Sequence, residues 1–159
     1  MSEINRVTSE IIEALRTSHQ TLALAESLTG GMLGGAITSV AGSSDVFIGG
    51  IVAYDARMKS EFLAVAPELI AAHGVVSREV ALAMAEGAQR RLGSDWAIST
   101  TGVAGPGPSG GIAAGTVWIA IVGPEIAMAE QMELPGDREA VRMAAIERTL
   151  GAFTRILRG

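Results

Sequence analysis

The sequence contains no cysteine. This absence excludes disulfide bonds, zinc sites built from thiolates and a cysteine nucleophile, and it is typical of a protein that works in a reducing compartment. The N-terminal segment is acidic and amphipathic, which differs from the pattern of a secretory signal peptide. We therefore expect a cytoplasmic protein.

Aromatic residues are also scarce, at 4% of the chain, although hydrophobic residues make up 48%. The core must therefore be built from Ala, Val, Ile, Leu and Met. A length of 159 residues is enough for one full hydrophobic core. We expect a single domain over residues 1–159.

Positively charged residues are also few. The chain has 12 Lys and Arg against 17 Asp and Glu, a net charge of −5, and no basic run. Nucleic acids bind clustered positive charge, so we expect no nucleic-acid partner. No apolar stretch reaches membrane-spanning length without a charge or a glycine, so we expect no membrane partner. A small domain rich in apolar residues is expected to form a homo-oligomer.

Apolar runs alternate with amphipathic segments along the chain. This pattern predicts an α/β fold, a three-layer α/β/α sandwich with a mixed, mainly parallel sheet of about five to six strands. The last two strands are expected to form a hairpin around Gly123-Pro124. The predicted strands cover 21–25, 46–54, 96–101, 116–122 and 126–134, and helices are predicted at 29–39, 56–63, from 67 to His73, from Ser77 to 91 and from Asp137 onwards.

Two predicted strands end in segments of hydroxyl residues and glycine. The first continues as Glu26-Ser27-Leu28-Thr29-Gly30-Gly31, and the third ends at Thr101 and continues into residues 102–111, which contain five glycines and two prolines. In α/β folds, ligands bind at such strand ends, where glycine allows close approach and helix N–H groups attract anions. The two segments predict one shared pocket for a small polar ligand.

Ser27 has two interpretations on local grounds. A serine between a strand and a helix is a common helix cap, and it is also well placed to act as a nucleophile. A nucleophile needs a base, but His19 and His73 are both predicted at helix ends away from the strand exits. Lys59 follows Tyr54 across a short turn, and a desolvated lysine can act as a base whereas a solvated one cannot.

The glycine-rich segment after Thr101 also has two interpretations. It lacks the Gly-Lys-Ser/Thr ending of a P-loop, yet its N–H groups could form an anion-binding nest. Alternatively, it is an ordinary connection between strands. No His, Asp and Glu set has the spacing of metal ligands, so we expect neither a metal nor another cofactor.

The sequence resembles the CinA C-terminal domain family of competence/damage-inducible proteins, whose characterised members are nicotinamide mononucleotide deamidases. The resemblance rests on motifs that occur in order from about residue 5 to residue 155. They are Ala25–Gly31, Ile37–Ser44, Gly49–Tyr54 with Lys59, His73–Ser77, Thr100–Pro106 and Gly115–Val117. Leu28 stands where the family often has cysteine.

The resemblance implies an α/β/α sandwich and hydrolysis of the nicotinamide amide of the mononucleotide, without a metal. It implies Ser27 as the nucleophile, with Tyr54 and Lys59 as its activating partners. An arginine of the late segment Gly136–Arg142 would suit the substrate phosphate. The residues expected to bind substrate are Glu26, Thr29, Gly30, Gly31, Thr101, Gly102, Gly105 and Arg142. The alternative hypothesis is a catalytically silent nucleotide-binding or regulatory domain linked to competence or DNA damage.

Overall fold

The computed structural model describes residues 2–159, which form a three-layer α/β/α sandwich. The strands are β1 Leu22–Glu26, β2 Phe47–Val52, β3 Trp96–Gly102, β4 Thr116–Val122 and β5 Ala127–Glu133. The helices are α1 Glu3–Ser18, α2 Met32–Thr38, α3 Ala56–Leu63, α4 Pro67–His73, α5 Arg78–Leu92 and α6 Arg138–Arg158. The predicted fold class is confirmed.

The sheet has the strand order β2-β1-β3-β4-β5. β1 pairs in parallel with both β2 and β3, whereas β4 pairs antiparallel with both β3 and β5. Within residues 2–159, β4 is therefore the one strand that runs against the others. The late hairpin between β4 and β5 is confirmed.

Alternation of side chains along β1 and β3 separates two apolar layers. Leu24 and Ile98 pack in the layer that contains α1, α2 and α6. Ala25 and Ala97 pack in the other layer, with α3, α4 and α5. Helices α3 and α5 also approach each other closely. A Cβ on Gly87 would lie 1.9 Å from the Leu63 carbonyl oxygen, so this packing requires glycine at that position.

Element ends differ from the prediction by a few residues. Helix α2 begins at Met32, three residues later than predicted, because residues 27–31 form a turn ahead of it. Strand β2 is shorter at both ends than the predicted 46–54. The predicted caps are confirmed: Ser77 accepts from the Val80 N–H at 3.2 Å, and Asp137 accepts from the Ala140 N–H at 2.9 Å. Among residues 2–159, no helix combines the length and the apolar character needed to cross a membrane.

Candidate active site

The two polar strand ends lie side by side. β1 and β3 are parallel neighbours with Glu26 opposite Thr100, and the Ser27 N–H donates to the Thr100 carbonyl oxygen at 3.0 Å. A cavity of about 490 Å³ opens at this edge, with Ser27 and Thr101 both on its wall. The geometry thus joins the two segments that the sequence analysis assigned to one pocket.

Ser27 faces Lys59, which lies on α3. Asp55 caps this helix by accepting from the Arg57 N–H at 2.8 Å. The Lys59 Nζ lies 2.9 Å from the Ser27 Oγ, 2.7 Å from the Ala53 carbonyl oxygen and 3.1 Å from the Tyr54 carbonyl oxygen. Lys59 is only 1% exposed, and it is the single lysine of the chain.

Burial lowers the pKa of Lys59 to about 8, because desolvation disfavours the ammonium form and outweighs the opposing effect of the Asp55 carboxylate. A neutral amine has two N–H groups and one lone pair. The two backbone carbonyls accept the two N–H groups, so the lone pair is left to accept the Ser27 hydroxyl proton. The arrangement suits a base that activates a serine.

Glu26 lies on the opposite face of the sheet from Lys59. Its carboxylate accepts from the Leu33 and Gly34 N–H groups at 2.9 Å each and from the Gly31 N–H at 3.2 Å. The Thr29 hydroxyl donates to it at 2.6 Å and lies 2.8 Å from the Thr100 hydroxyl. Glu26 and Thr29 thus hold the start of α2, and neither lines the cavity.

The glycines of the first loop use their N–H groups internally. The Gly30 N–H donates to the Ser27 carbonyl oxygen at 3.0 Å, and the Gly31 N–H donates to Glu26. Their φ angles of 58° and 100° are positive, which explains why glycine occupies both positions. Leu28 lines the cavity, and within residues 2–159 its N–H has no hydrogen-bond acceptor.

Tyr54 contacts Lys59 through its backbone rather than through its ring. The side chain is 61% exposed and lines the cavity, and its hydroxyl accepts from Arg138 Nη2 at 3.2 Å. The backbone carbonyl is the part of Tyr54 that orients Lys59.

Two arginines of the predicted late segment Gly136–Arg142 lie in different surroundings on α6, and Arg142 is the one that was predicted among the substrate-binding residues. Arg142 donates to the Leu28 and Thr29 carbonyl oxygens, at 2.9 Å and 3.4 Å, and is not on the cavity wall. Arg138 is on the wall and donates to the Gly105 carbonyl oxygen at 2.6 Å. The late segment Gly136–Arg142, which contains both arginines, is the signal that could have identified Arg138.

The end of β3 forms part of the cavity wall but adds no charged side chain to it. Thr101 and Gly102 line the cavity, and the Thr101 hydroxyl donates to the Val75 carbonyl oxygen at 2.8 Å. A Cβ on Gly102 would lie 2.7 Å from the Thr116 carbonyl oxygen, so glycine is needed there for strand packing. Gly105 has a φ of 94° and is not on the cavity wall, but its carbonyl oxygen accepts from Arg138, which is.

His73 is also on the cavity wall, which corrects the expectation that both histidines lie away from the strand exits. The hydrogen bond from Thr101 to Val75 holds the end of α4 against β3, and this tertiary contact is not visible in the sequence. The His73 Nδ1 lies 3.6 Å from the Glu79 Oε2.

The wall of the cavity carries basic but no acidic side chains among the described residues. Lys59, His73 and Arg138 all line it. Arg138 carries a fixed positive charge on this wall, and no carboxylate of residues 2–159 lines it, so the cavity favours an anionic ligand although the chain has a net charge of −5. No group of three or more His, Asp or Glu within residues 2–159 is arranged to hold a metal ion.

Comparison with known proteins identifies relatives of this chain. CinA-like proteins of Synechococcus sp. (strain RCC307) and Myxococcus xanthus (strain DK1622) are 51% identical over 120 residues and 45% identical over 144 residues. These matches cover 75% and 88% of this chain but 29% and 34% of the relatives, so the chain spans about a third of their length.

Solved structures extend the likeness to the whole fold. The competence damage-inducible protein A of Klebsiella pneumoniae subsp. pneumoniae MGH 78578 has a TM-score of 0.94 at 32% identity, over 97% of this chain and 96% of that one. A competence/damage inducible protein of Agrobacterium tumefaciens gives a TM-score of 0.94 at 32% identity, over 100% and 98%. The family model for the CinA C-terminal domain matches residues 4–157. The chain therefore belongs to the CinA C-terminal domain family.

Proposed function

We propose that this chain is an amidohydrolase that converts nicotinamide mononucleotide to nicotinic acid mononucleotide and ammonia. The observation that carries the proposal is the buried Lys59 Nζ, held by two carbonyls at 2.9 Å from the Ser27 Oγ. A silent binding domain would gain nothing from burying its single lysine against a serine.

Acylation begins at Ser27. The neutral Lys59 amine accepts the hydroxyl proton as the Ser27 Oγ attacks the amide carbon. The tetrahedral intermediate places negative charge on the former carbonyl oxygen. The N–H of Leu28, the residue after the nucleophile, is free to donate to that oxygen.

The leaving group departs as ammonia. The Lys59 ammonium returns its proton to the amide nitrogen, and the C–N bond breaks to leave an ester on Ser27. Water then enters the place of ammonia and attacks the ester carbon as the same lysine accepts its proton. The bond from carbon to the Ser27 Oγ breaks, the acid product leaves, and Lys59 returns the proton to the Ser27 Oγ. One titratable group therefore serves both half-reactions.

The phosphate of the mononucleotide fits the basic wall of the cavity. Arg138 presents its guanidinium there, and the contacts that it makes, the Tyr54 hydroxyl and the Gly105 carbonyl oxygen, are both uncharged. Phosphate is a stronger partner for guanidinium than either of these groups. A cavity of about 490 Å³ lies within the range usual for small-molecule sites.

The test is ammonia release from nicotinamide mononucleotide by the purified chain as a function of pH. Because the neutral amine is the base, and the Lys59 pKa is about 8, kcat/KM should rise as pH rises through about 8 and level off above it. Since Lys59 is the only lysine, ¹⁵N-lysine labelling gives a single side-chain signal that reports its titration directly. Absence of ammonia release, or a lysine signal that titrates near its ordinary value of about 10.4, would refute the proposal.

A further inference from the structure

Lys59 offers its amine to the cavity in one direction only. The Ala53 and Tyr54 carbonyl oxygens hold two positions around Nζ, and the Ser27 Oγ marks the third. With the side chain 1% exposed, any group that exchanges a proton with Lys59 must lie next to the Ser27 Oγ.

The Ser27 Oγ lies in a part of the cavity wall that has little exposed surface. Ser27 and Leu28 are only 7% and 4% exposed, and the Lys59 side chain is 1% exposed. Tyr54 and Arg138 line the same cavity and are both exposed, and the ribose phosphate of a mononucleotide substrate would face them. The buried position beside Lys59 therefore suits a small nucleophile such as water or ammonia.

Lys59 selects this nucleophile by position. Once the substrate has acylated Ser27 and ammonia has left, the lone pair of Lys59 points at the vacated place. A small molecule that carries an N–H group and occupies this place can donate its proton to Lys59 in the same geometry as water. Ammonia itself must react in this way, because the forward and reverse reactions share one transition state.

We propose that the site also transfers the acyl group of its amide substrate to small nitrogen nucleophiles of the hydroxylamine and hydrazine class; this inference rests on the proposed function. The incoming nitrogen attacks the ester carbon on Ser27, so that a C–N bond forms and the bond from carbon to the Ser27 Oγ breaks. One proton passes from the nitrogen to the Lys59 Nζ and then to the Ser27 Oγ. With hydroxylamine the product is the hydroxamate of the mononucleotide, and Ser27 is regenerated.

The experiment incubates the full chain with nicotinamide mononucleotide and increasing hydroxylamine at pH 8, and separates the acid and hydroxamate products by mass spectrometry. The ratio of hydroxamate to acid should rise in proportion to hydroxylamine. O-Benzylhydroxylamine carries the same nucleophilic group on a larger body, and should give no corresponding product. Ser27→Ala should form neither acid nor hydroxamate, whereas Ser39→Ala, an exposed serine at the end of α2, should behave as wild type.

The outcomes separate this inference from the function on which it rests. Formation of acid without hydroxamate at any hydroxylamine concentration would overturn acyl transfer and leave the amidohydrolase standing. Hydroxamate formation by Ser27→Ala would show direct attack on the amide and overturn the acyl-enzyme route. Equal transfer to O-benzylhydroxylamine would overturn the size restriction. Formation of neither product by the wild type would refute the amidohydrolase itself.

Discussion

Glu26 and Lys59 are both buried ionisable side chains near the end of β1, but they lie on opposite faces of the sheet. Glu26 is 3% exposed and accepts from backbone N–H groups at the start of α2 and from the Thr29 hydroxyl. These donors stabilise its negative charge and fix a helix. Lys59 is 1% exposed and contacts two carbonyls and a hydroxyl, all of them uncharged.

The difference lies in how the charge is compensated. A buried charge surrounded by matching donors is structural, because its ionised form is satisfied where it stands. A buried amine without an ion-pair partner loses its proton more readily, which lowers the Lys59 pKa to about 8, and the neutral form beside a hydroxyl is a base. Among residues 2–159, no carboxylate lies within ion-pair distance of Lys59. The predictions below test this contrast between the Glu26 side and the Lys59 side.

The largest effect is expected on the Lys59 side. Lys59→Met keeps the packing volume but removes the base, and Ser27→Ala removes the nucleophile. Each should lower kcat with nicotinamide mononucleotide by about 10³-fold or more, and the double variant should be little worse than either, because the two residues act as a unit. Turnover at saturating substrate measures this, with folding checked by circular dichroism. If Ser27→Ala keeps turnover within roughly tenfold of wild type, about 1.4 kcal/mol of barrier, a directly activated water replaces serine as the nucleophile.

Variants of Arg138 and Arg142 should distinguish a residue that binds the substrate phosphate from one that only stabilises the loop after β1. Arg138→Ala should raise KM for nicotinamide mononucleotide by about 10- to 100-fold, since a charge-assisted hydrogen bond contributes about 1.5–3 kcal/mol. The same variant should differ little from wild type with nicotinamide riboside, which lacks the phosphate. Arg142→Ala is the matched control: it removes contacts to the Leu28 and Thr29 carbonyls, so any loss should be equal for both substrates. A phosphate-dependent loss in Arg142→Ala alone would transfer the phosphate site to Arg142.

A smaller effect on turnover is expected on the Glu26 side, where stability should change instead. Glu26→Gln replaces an acceptor of several N–H groups by an amide that offers one oxygen. We expect the free energy of unfolding to fall by about 1–3 kcal/mol, measured by urea denaturation, with only a partial loss of activity per folded molecule. Glu147→Gln, at an exposed position of α6, should change the stability by less than about 0.5 kcal/mol. A loss of turnover as complete as that of Ser27→Ala, in a folded protein, would place Glu26 among the catalytic residues.

The smallest effect is expected for Tyr54→Phe. The variant keeps the backbone carbonyl that contacts Lys59 and removes only the hydroxyl that accepts from Arg138. We expect kcat within about threefold of wild type, because a lost neutral hydrogen bond contributes only about 0.5–1.5 kcal/mol and this one is exposed. Steady-state kinetics at pH 8 measure this. A fall in kcat that approaches that of Lys59→Met would assign the Tyr54 hydroxyl a direct part in proton transfer.

The local sequence predicted correctly those features that depend on interactions between residues close together in the chain. Ser77 and Asp137 cap their helices as predicted, and Ala56–Leu63, Pro67–His73 and Thr116–Val122 have the predicted bounds. The start of α2 was predicted three residues too early, because a turn bonded to the Glu26 carboxylate replaces the first turn of the predicted helix. Propensity alone does not reveal such a competing partner.

The sequence by itself determined the α/β class, the two polar strand ends and the candidates Ser27 and Lys59, because hydrophobic periodicity and turn residues are local properties. It also left open that Ser27 is a helix cap and that Lys59 is a solvated surface lysine. Only the tertiary structure shows that Lys59 is buried and that Ser27 is not the N-cap residue of α2, since burial depends on every element packed around a side chain. The parallel register of β1 and β3, the packing of α3 on α5 and the anchoring of Val75 by Thr101 bring Ser27, Lys59, Arg138 and His73 to one cavity.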